Sequence, residues 1–362
     1  MTIALDPGAH ELRSLRRQGS ELVARRCRTI AAFVDDNDAR RRWLKTANIP
    51  HLVAENCLVI PGDAAVEAEG LCDTIPVDLL PEGDLPQADP VTRQVIAALV
   101  DGLLLRSPNR GAICCFAQPG HDDSIPAEDA PGGLRLDFLT QLIQLRGYVA
   151  LPLNPATALV LAELSASGFT GVGMSLGASG CDLTVVHRGT QLACARLAMG
   201  GRWIDEQLAS RNQIVRRDSA GDEIFDLDQA RKQKEAVSLV ELQGDVSRCI
   251  AELYEDLAAS LVDALAGMLS SDPRMALLPQ PLPVVCSGGP AGITGFGEML
   301  QAALRHCDTH MEIGELQLAA DSQYTIARGC LIRAEIEEGV TAHAGRTAGR
   351  VAQERHSAAL RG

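Results

Sequence analysis

Gly171 to Glu206 reads GVGMSLGASGCDLTVVHRGTQLACARLAMGGRWIDE, and this stretch decides the architecture. Val172 to Leu176 and Leu183 to Val186 are short apolar runs bounded by turn residues, the pattern of buried strands. Between them Gly177, Ala178, Ser179 and Gly180 carry almost no side chain, so a ligand can approach the main chain closely. A third strand follows, and Gly200-Gly201 opens a helix. Successive amides in such a turn can face one anion, and a helix opening at Gly201 would add further free N–H groups. Alone, the same residues also describe an ordinary β-hairpin with a glycine turn. Two more loops of this kind tip the balance.

The first opens the chain. Thr2 to Asp6 is a short strand that runs into Pro7-Gly8-Ala9-His10. Asp6 therefore sits at a strand end facing a loop whose amides suit phosphate. A carboxylate there suits Mg²⁺, which takes oxygen ligands and keeps several waters; the plainer alternative is an Asp-Pro-Gly turn with no ligand. The other loop comes late, where the strand Pro283 to Cys286 enters Ser287-Gly288-Gly289-Pro290. Gly288→Val is expected to block that side of a cleft while the fold survives. Asn154-Pro155 starts a helix through Leu164, with capping as the default task of Asn154.

Around these loops the pattern alternates strand and helix. Glu21 to Asp35 reads as one strand, Asp38 to Lys45 as a helical turn, and His51 to Ile60 as another strand. Pro76 to Pro90 reads as a surface linker. Helices are expected at Val91–Leu105, Leu134–Arg146, Asp228–Leu242, Val246–Leu269, Phe296–His306 and Ala327–Glu338, and strands at Gly111–Ala117 and Tyr148–Leu153. Gln118 to Gly133 is an acidic loop, and the tail beyond Gly339 is expected to be mobile. The sheet-helix-loop order occurs once before Asn154 and once after it, which suggests two related lobes.

At 362 residues the chain exceeds one usual hydrophobic core, so two lobes are the better prior. Aromatics make up only 3%, which argues against a base-stacking nucleic-acid surface. A net charge of -14 opposes a general affinity for phosphate backbones or anionic lipid. Locally, the arginines from Arg13 to Arg42 make the N-terminal region basic; a solvated face is the first reading and a polymer contact or acidic partner the second. No apolar run reaches the length of a membrane span, and no signal-peptide pattern precedes the first strand, so a cytoplasmic location is expected. The eleven cysteines include no CxxC pair and sit mostly in apolar patterns, as reduced buried thiols do.

Three strand-ended loops in this order resemble the actin superfamily, with bacterial MreB-type filament proteins and the nucleotide-binding domain of DnaK-type chaperones as the nearest relatives. Asp6-Pro7-Gly8-Ala9-His10 is similar to the first phosphate loop. Ser175 to Gly180 occupies the second, and Gly200-Gly201-Arg202-Trp203-Ile204-Asp205 resembles the Gly-Gly motif that follows it. Lys234 and Ser238 fall where the chaperones carry an adenosine-contacting Lys-x-x-x-Ser on a helix, though Arg231 stands where they have Glu. Ser287 to Pro290 resembles the adenosine loop, and Asn154-Pro155 matches the Glu-Pro of MreB. The resemblance implies an α/β, actin-like (ribonuclease H-like) fold with a nucleotide cleft between two lobes. The first lobe would span 1–154 with a small subdomain near 31–84. The second would span 155–338 with a small subdomain near 207–275 and a closing helix at 327–338.

It also implies ATP or ADP and Mg²⁺ as cofactors. Gly8, Ala9, His10, Gly177, Ala178, Ser179, Gly200, Gly201, Lys234, Ser238, Gly288, Gly289 and Pro290 would bind the nucleotide, Asp6 and Ser175 the metal, and Asp6 and Asn154 would be the catalytic positions. The departures bear on activity. Active family members carry Asp where this chain has Ser175, and the amide of Asn154 cannot take a proton from water. Nucleotide binding is thus better supported than hydrolysis, since phosphoryl transfer depends on positioning and electrostatics. The leading expectation is a weak ATPase that self-associates into filaments; the second is a non-hydrolysing scaffold or regulator acting through protein partners. A sugar or acetate kinase ranks third, because Asp122-Asp123 in a polar loop reads as solvated rather than as a base. No nucleic-acid partner is expected, and no amphipathic membrane anchor is evident at the N-terminus.

Overall fold

The computed structural model describes residues 2–54, 57–72, 74–86, 89–107, 109, 111–121, 133–217 and 221–340. The tail beyond 340, Asp122, Asp123 and most of the acidic loop lie outside these residues.

The first half is built on strands β1 (Ile3–Pro7), β2 (Glu11–Gln18) and β3 (Glu21–Arg28), followed by β4 (Ile30–Asp35), β5 (Leu52–Ala54), β6 (Cys57–Pro61), β7 (Val77–Asp78), β8 (Ile113–Ala117) and β9 (Val149–Leu153). One sheet has the order β3-β2-β1-β8-β9, antiparallel through β1–β2–β3 and parallel through β1–β8–β9. A second, smaller sheet has the order β5-β6-β4-β7. The run Glu21 to Asp35, expected as one strand, is two strands in different sheets that change over at Thr29. The expected strand His51 to Ile60 is likewise an antiparallel pair, β5 and β6. Helices α1 (Asp38–Thr46) and α2 (Asp63–Cys72) cover the small sheet, with Leu44, Ala65 and Ala68 fully buried against it. Helix α3 (Pro90–Leu103) begins where Asp89 accepts from the amides of Val91 and Thr92 with Pro90 in the first turn, a strong start signal. Helix α4 (Gly133–Leu145) completes this half, and α5 (Pro155–Glu163) leads into the second.

The second half repeats the plan. Strands β10 (Gly171–Leu176), β11 (Cys181–His187) and β12 (Thr190–Leu197) are antiparallel neighbours, and β10 continues in parallel to β15 (Leu282–Gly288) and β16 (Ile313–Leu318). The order β12-β11-β10-β15-β16 is that of the first sheet, strand for strand. Between β12 and β15 come helix α6 (Gly201–Arg211), the hairpin β13 (Val215–Arg217) and β14 (Glu223–Phe225), helix α7 (Leu227–Ala236) and the long helix α8 (Gly244–Ser271). Helix α7 stops at Ala236, short of the expected Leu242, so Ser238 lies beyond the helix. Helix α9 (Phe296–Leu304) precedes β16, and a last helix occupies 325–340.

Apolar packing falls into distinct clusters. The buried residues of one fall between Ile3 and Tyr148, and those of another between Val172 and Met311. A third mixes Ala4, Leu15 and Cys115 with Leu159 and Val160 of α5, Val285 of β15, and Cys330, Leu331 and Ala334 of the last helix. Its close packing is visible at Gly329, where a Cβ would overlap the Ala158 carbonyl. Arg17 and Glu335 pair across the same region at 2.7 Å. Among the described residues no helix is long and apolar enough to cross a membrane.

Candidate functional site

The strand ends of the two like sheets face one another, and each loop is held by its own hydrogen bonds. After β1, the turn Gly8–His10 is fixed by Thr29, whose hydroxyl donates to the Gly8 carbonyl at 2.9 Å and whose amide donates to the His10 carbonyl at 3.0 Å. Between β10 and β11 the Gly177 amide donates to the Gly180 carbonyl at 2.9 Å. The amides that open α6 are not free, contrary to the expectation from sequence. Gly201 donates to the Gly177 carbonyl at 3.0 Å and Arg202 to the Ala178 carbonyl at 2.9 Å. The helix start is spent on shaping the turn, and a Cβ at Gly200 would lie 2.5 Å from the Gly180 nitrogen. After β15, Gly288 pairs with Leu176 at a φ of 122°, where a Cβ would overlap the Leu176 carbonyl oxygen. Only glycine fits there.

The loops converge on one cleft of about 860 Å³, the size of a small-molecule site. Gly8, Ala9 and His10 line it from the first loop, Ser175, Gly177, Ala178 and Ser179 from the second, and Gly288, Gly289 and Pro290 from the third. Gly201 and Lys234 also line it. Asn154, Gly200 and Ser238 do not form the lining, although Pro155 does. Asn154 is buried with both ends of its amide engaged. Its oxygen accepts from the Ala156 amide at 2.9 Å and its nitrogen donates to the His121 carbonyl at 3.2 Å. Ser238 accepts from the Val240 amide at 3.3 Å.

Lys234 is committed to the protein: its ammonium sits 2.6 Å from Asp205 and donates to the Gly201 carbonyl at 2.8 Å. Burial pushes the Asp205 carboxyl up to about 6, against the pull of Lys234. This pair ties α7 to α6 beneath the second loop.

Charge at the other end of the cleft is dominated by guanidinium groups. In β1–β2 register Asp6 lies opposite Arg13, and the two side chains approach to 3.3 Å. Arg13 also reaches Glu11 at 2.7 Å, which Arg26 joins at 3.4 Å. Asp182, opposite Ser175 on β11, accepts from Arg196 at 2.7 Å and from the Gly120 amide at 2.6 Å. Burial raises both Asp6 and Asp182 above the ordinary carboxylate range, with the arginines working in the opposite direction. Mg²⁺ needs free carboxylate or water-bearing oxygen donors. The expected pair Asp6 and Ser175 offers one carboxylate already bound to an arginine and one neutral hydroxyl, so this donor set does not fit the ion.

Several lining residues were not foreseen. Pro76 to Pro90, expected as a surface linker, instead carries β7 and buried Leu79, Leu80 and Leu85, and Val77, Asp78, Leu80 and Pro81 line the cleft. Asp78 pairs with Arg202 of α6 across the opening. Gly83 packs so tightly on Ser179 that a Cβ there would overlap its hydroxyl. Arg135 of α4 donates to the Pro7 and Gly83 carbonyls. The leucine pair in a Pro-rich segment was a usable hint of burial; Arg135 had no local signal.

A family profile described as Volactin matches residues 1–334. Among solved structures, the chain is similar to the MamK double helical filament, at 16% identity, 92% coverage of this chain, 99% of that one and a TM-score of 0.66. It is similar to MreB5 of Spiroplasma citri bound to AMPPNP, at 17% identity, 93% and 98% coverage and a TM-score of 0.63. The ethanolamine utilization protein EutJ from Carboxydothermus hydrogenoformans follows at 14% identity, 91% and 89% coverage and 0.51. No curated protein sequence matches. At these identities the likenesses establish the fold, which is actin-like.

Proposed function

The chain belongs to the Volactin family, and from that premise we propose that it is a filament-forming protein that takes an adenine nucleotide between two lobes. The lobes are residues 1–154 and 155–338, with small subdomains near 31–84 and 207–275 and the closing helix 327–338 returning to the first lobe. One observation carries this reading: glycine loops from two sheets of identical strand order meet in a single cleft of about 860 Å³. The Gly8–His10 and Gly177–Ser179 loops would receive the phosphates, and Gly288, Gly289 and Pro290 the adenosine. Lys234 would act by bracing α6 and α7 beneath the cleft rather than by direct contact with the base, because its ammonium is already engaged.

Self-association is supported by the likeness to the MamK double helical filament, and nucleotide binding by the likeness to MreB5 bound to AMPPNP. Hydrolysis is slow or absent on this reading. A serine stands at 175, and the Asn154 amide is held by the main chain on both sides, so neither offers a base or a free water-holder. That same observation favours, as the second reading, a non-hydrolysing scaffold that signals through protein partners. Either form would act in the cytoplasm.

Saturating ADP or ATP is expected to raise the melting temperature. At a ligand concentration a hundredfold above Kd the gain is about 2.7 kcal/mol. An unchanged melting curve, with no heat of binding in calorimetry, would remove the nucleotide from the reading. Pelleting with and without nucleotide tests assembly independently.

A further inference from the structure

The phosphate end of the cleft contains a buried cation that has no carboxylate in contact among the described residues. Arg135 is 4% exposed. Its two terminal nitrogens donate to the Pro7 and Gly83 carbonyls, and its Nε is buried with no hydrogen-bond partner. Burial depresses its value to about 10, while Asp84, Asp6 and Asp182 act on it from a distance. Nε of Arg13 is likewise buried and without a hydrogen-bond partner, and both residues line the cleft. Each Nη of the two guanidinium groups makes one contact and carries a second hydrogen, so the pair still offers donors to an anion in the cleft.

The carboxylates there are already taken. Arg13 and Arg26 face Asp6 and Glu11, and Arg196 faces Asp182. A divalent cation entering this set would meet three carboxylates already paired with three guanidinium groups, with only the second oxygen of Asp6 outside an arginine or amide contact among the described residues. Arg135 is the positive charge that these pairs do not offset, and in a partly buried site it opposes a cation more strongly than it would in water. A polyphosphate meets the opposite situation: charge-assisted donors whose planar forks match phosphate oxygens.

Resting on the nucleotide reading above, we propose that this site binds a nucleoside di- or triphosphate without a divalent metal, Arg13, Arg135 and Arg196 supplying the charge that Mg²⁺ supplies elsewhere. The nucleotide's own phosphate oxygens then have no metal to share with the protein, which accords with a neutral Ser175 at the second loop.

The test is calorimetric titration of the full chain with ADP and with ATP, once in MgCl₂ and once in EDTA. The expected result is a Kd that agrees within about threefold between the two conditions. Arg196→Gln, checked for an intact melting transition, should weaken binding in EDTA about tenfold, as should Arg135→Gln if it folds. Binding that collapses in EDTA and returns with MgCl₂ overturns this proposal and leaves the nucleotide reading standing. Metal-independent binding that every folded arginine variant retains overturns the assignment to these residues. No binding under either condition overturns both readings.

Discussion

Gly288→Val is expected to yield no cooperative melting transition. Valine would have to adopt a φ of 122°, a region that β-branched residues essentially do not visit and that costs about 1–3 kcal/mol even for tolerant side chains. Its Cβ would also overlap the main-chain carbonyl oxygen of Leu176. That oxygen cannot yield cheaply, because Leu176 and Gly288 are register partners in the central parallel pair of the second sheet. Together these effects exceed about 4 kcal/mol, the range reserved for the most disruptive single changes and comparable to the whole stability of a marginal domain. The expectation from sequence, that the fold survives this change, is therefore revised. Gly292→Ala is the matched control: it lines the same cleft, a Cβ there meets nothing within 4 Å, and its stability should stay within about 0.5 kcal/mol of the parent. Circular dichroism melts of the two variants check the contrast, and a Gly288→Val melt within a few degrees of the parent would refute it.

Lys234→Met should lower stability by about 3 kcal/mol at pH 8, by leaving Asp205 as a buried and unpaired charge. The loss should shrink as the solution is made acidic. Asp205 already has a folded value of about 6 against an ordinary value of 3.8. A carboxyl raised on folding binds more protons in the native state, so its penalty is fully present above the folded value and fades as pH falls through it. Removing the ammonium takes away the influence that opposes burial and moves that window higher still. Urea unfolding at pH 5 and pH 8 should therefore show the smaller deficit at pH 5. Adding Asp205→Asn to the variant should remove this pH dependence and recover part of the stability. A deficit equal at both pH values would mean that the ammonium matters for packing rather than for charge.

What the sequence disclosed and what it hid follow the range of the interactions. The loops after β1, β10 and β15 were legible because a short apolar run ending in small residues is a local signal. The helices at Pro90–Leu103 and Gly244–Ser271 were legible for the same reason, through a 3.6-residue apolar stripe. The change of sheet at Thr29 was not, since neither glycine nor proline punctuates Arg28-Thr29-Ile30. Strand β16, with the mixed sequence IGELQL, has too weak an alternation to be seen before β15 stands beside it. The end of α7 at Ala236 was missed because the polar face of the run continues through Ser238. The charge pattern of the site was the least legible of all. Arg135 reaches the Pro7 carbonyl from 128 residues away, and Arg13 meets Asp6 only because a hairpin places them opposite one another.

The apolar cluster shared by both halves has a calorimetric consequence. Parting the cleft breaks the Asp78–Arg202 pair, the Gly83–Ser179 contact and the hydrogen bond from Gly120 to Asp182. The groups lost are polar or small, whereas Leu159, Val160, Val285 and Leu331 stay packed as an axle. Opening should accordingly carry almost no heat-capacity change and respond mainly to ionic strength. Unfolding of the chain, by contrast, should carry the usual increment of about 12–15 cal/mol/K per residue. The two processes are thus distinguishable by their temperature dependence, with cleft opening nearly flat and denaturation strongly curved.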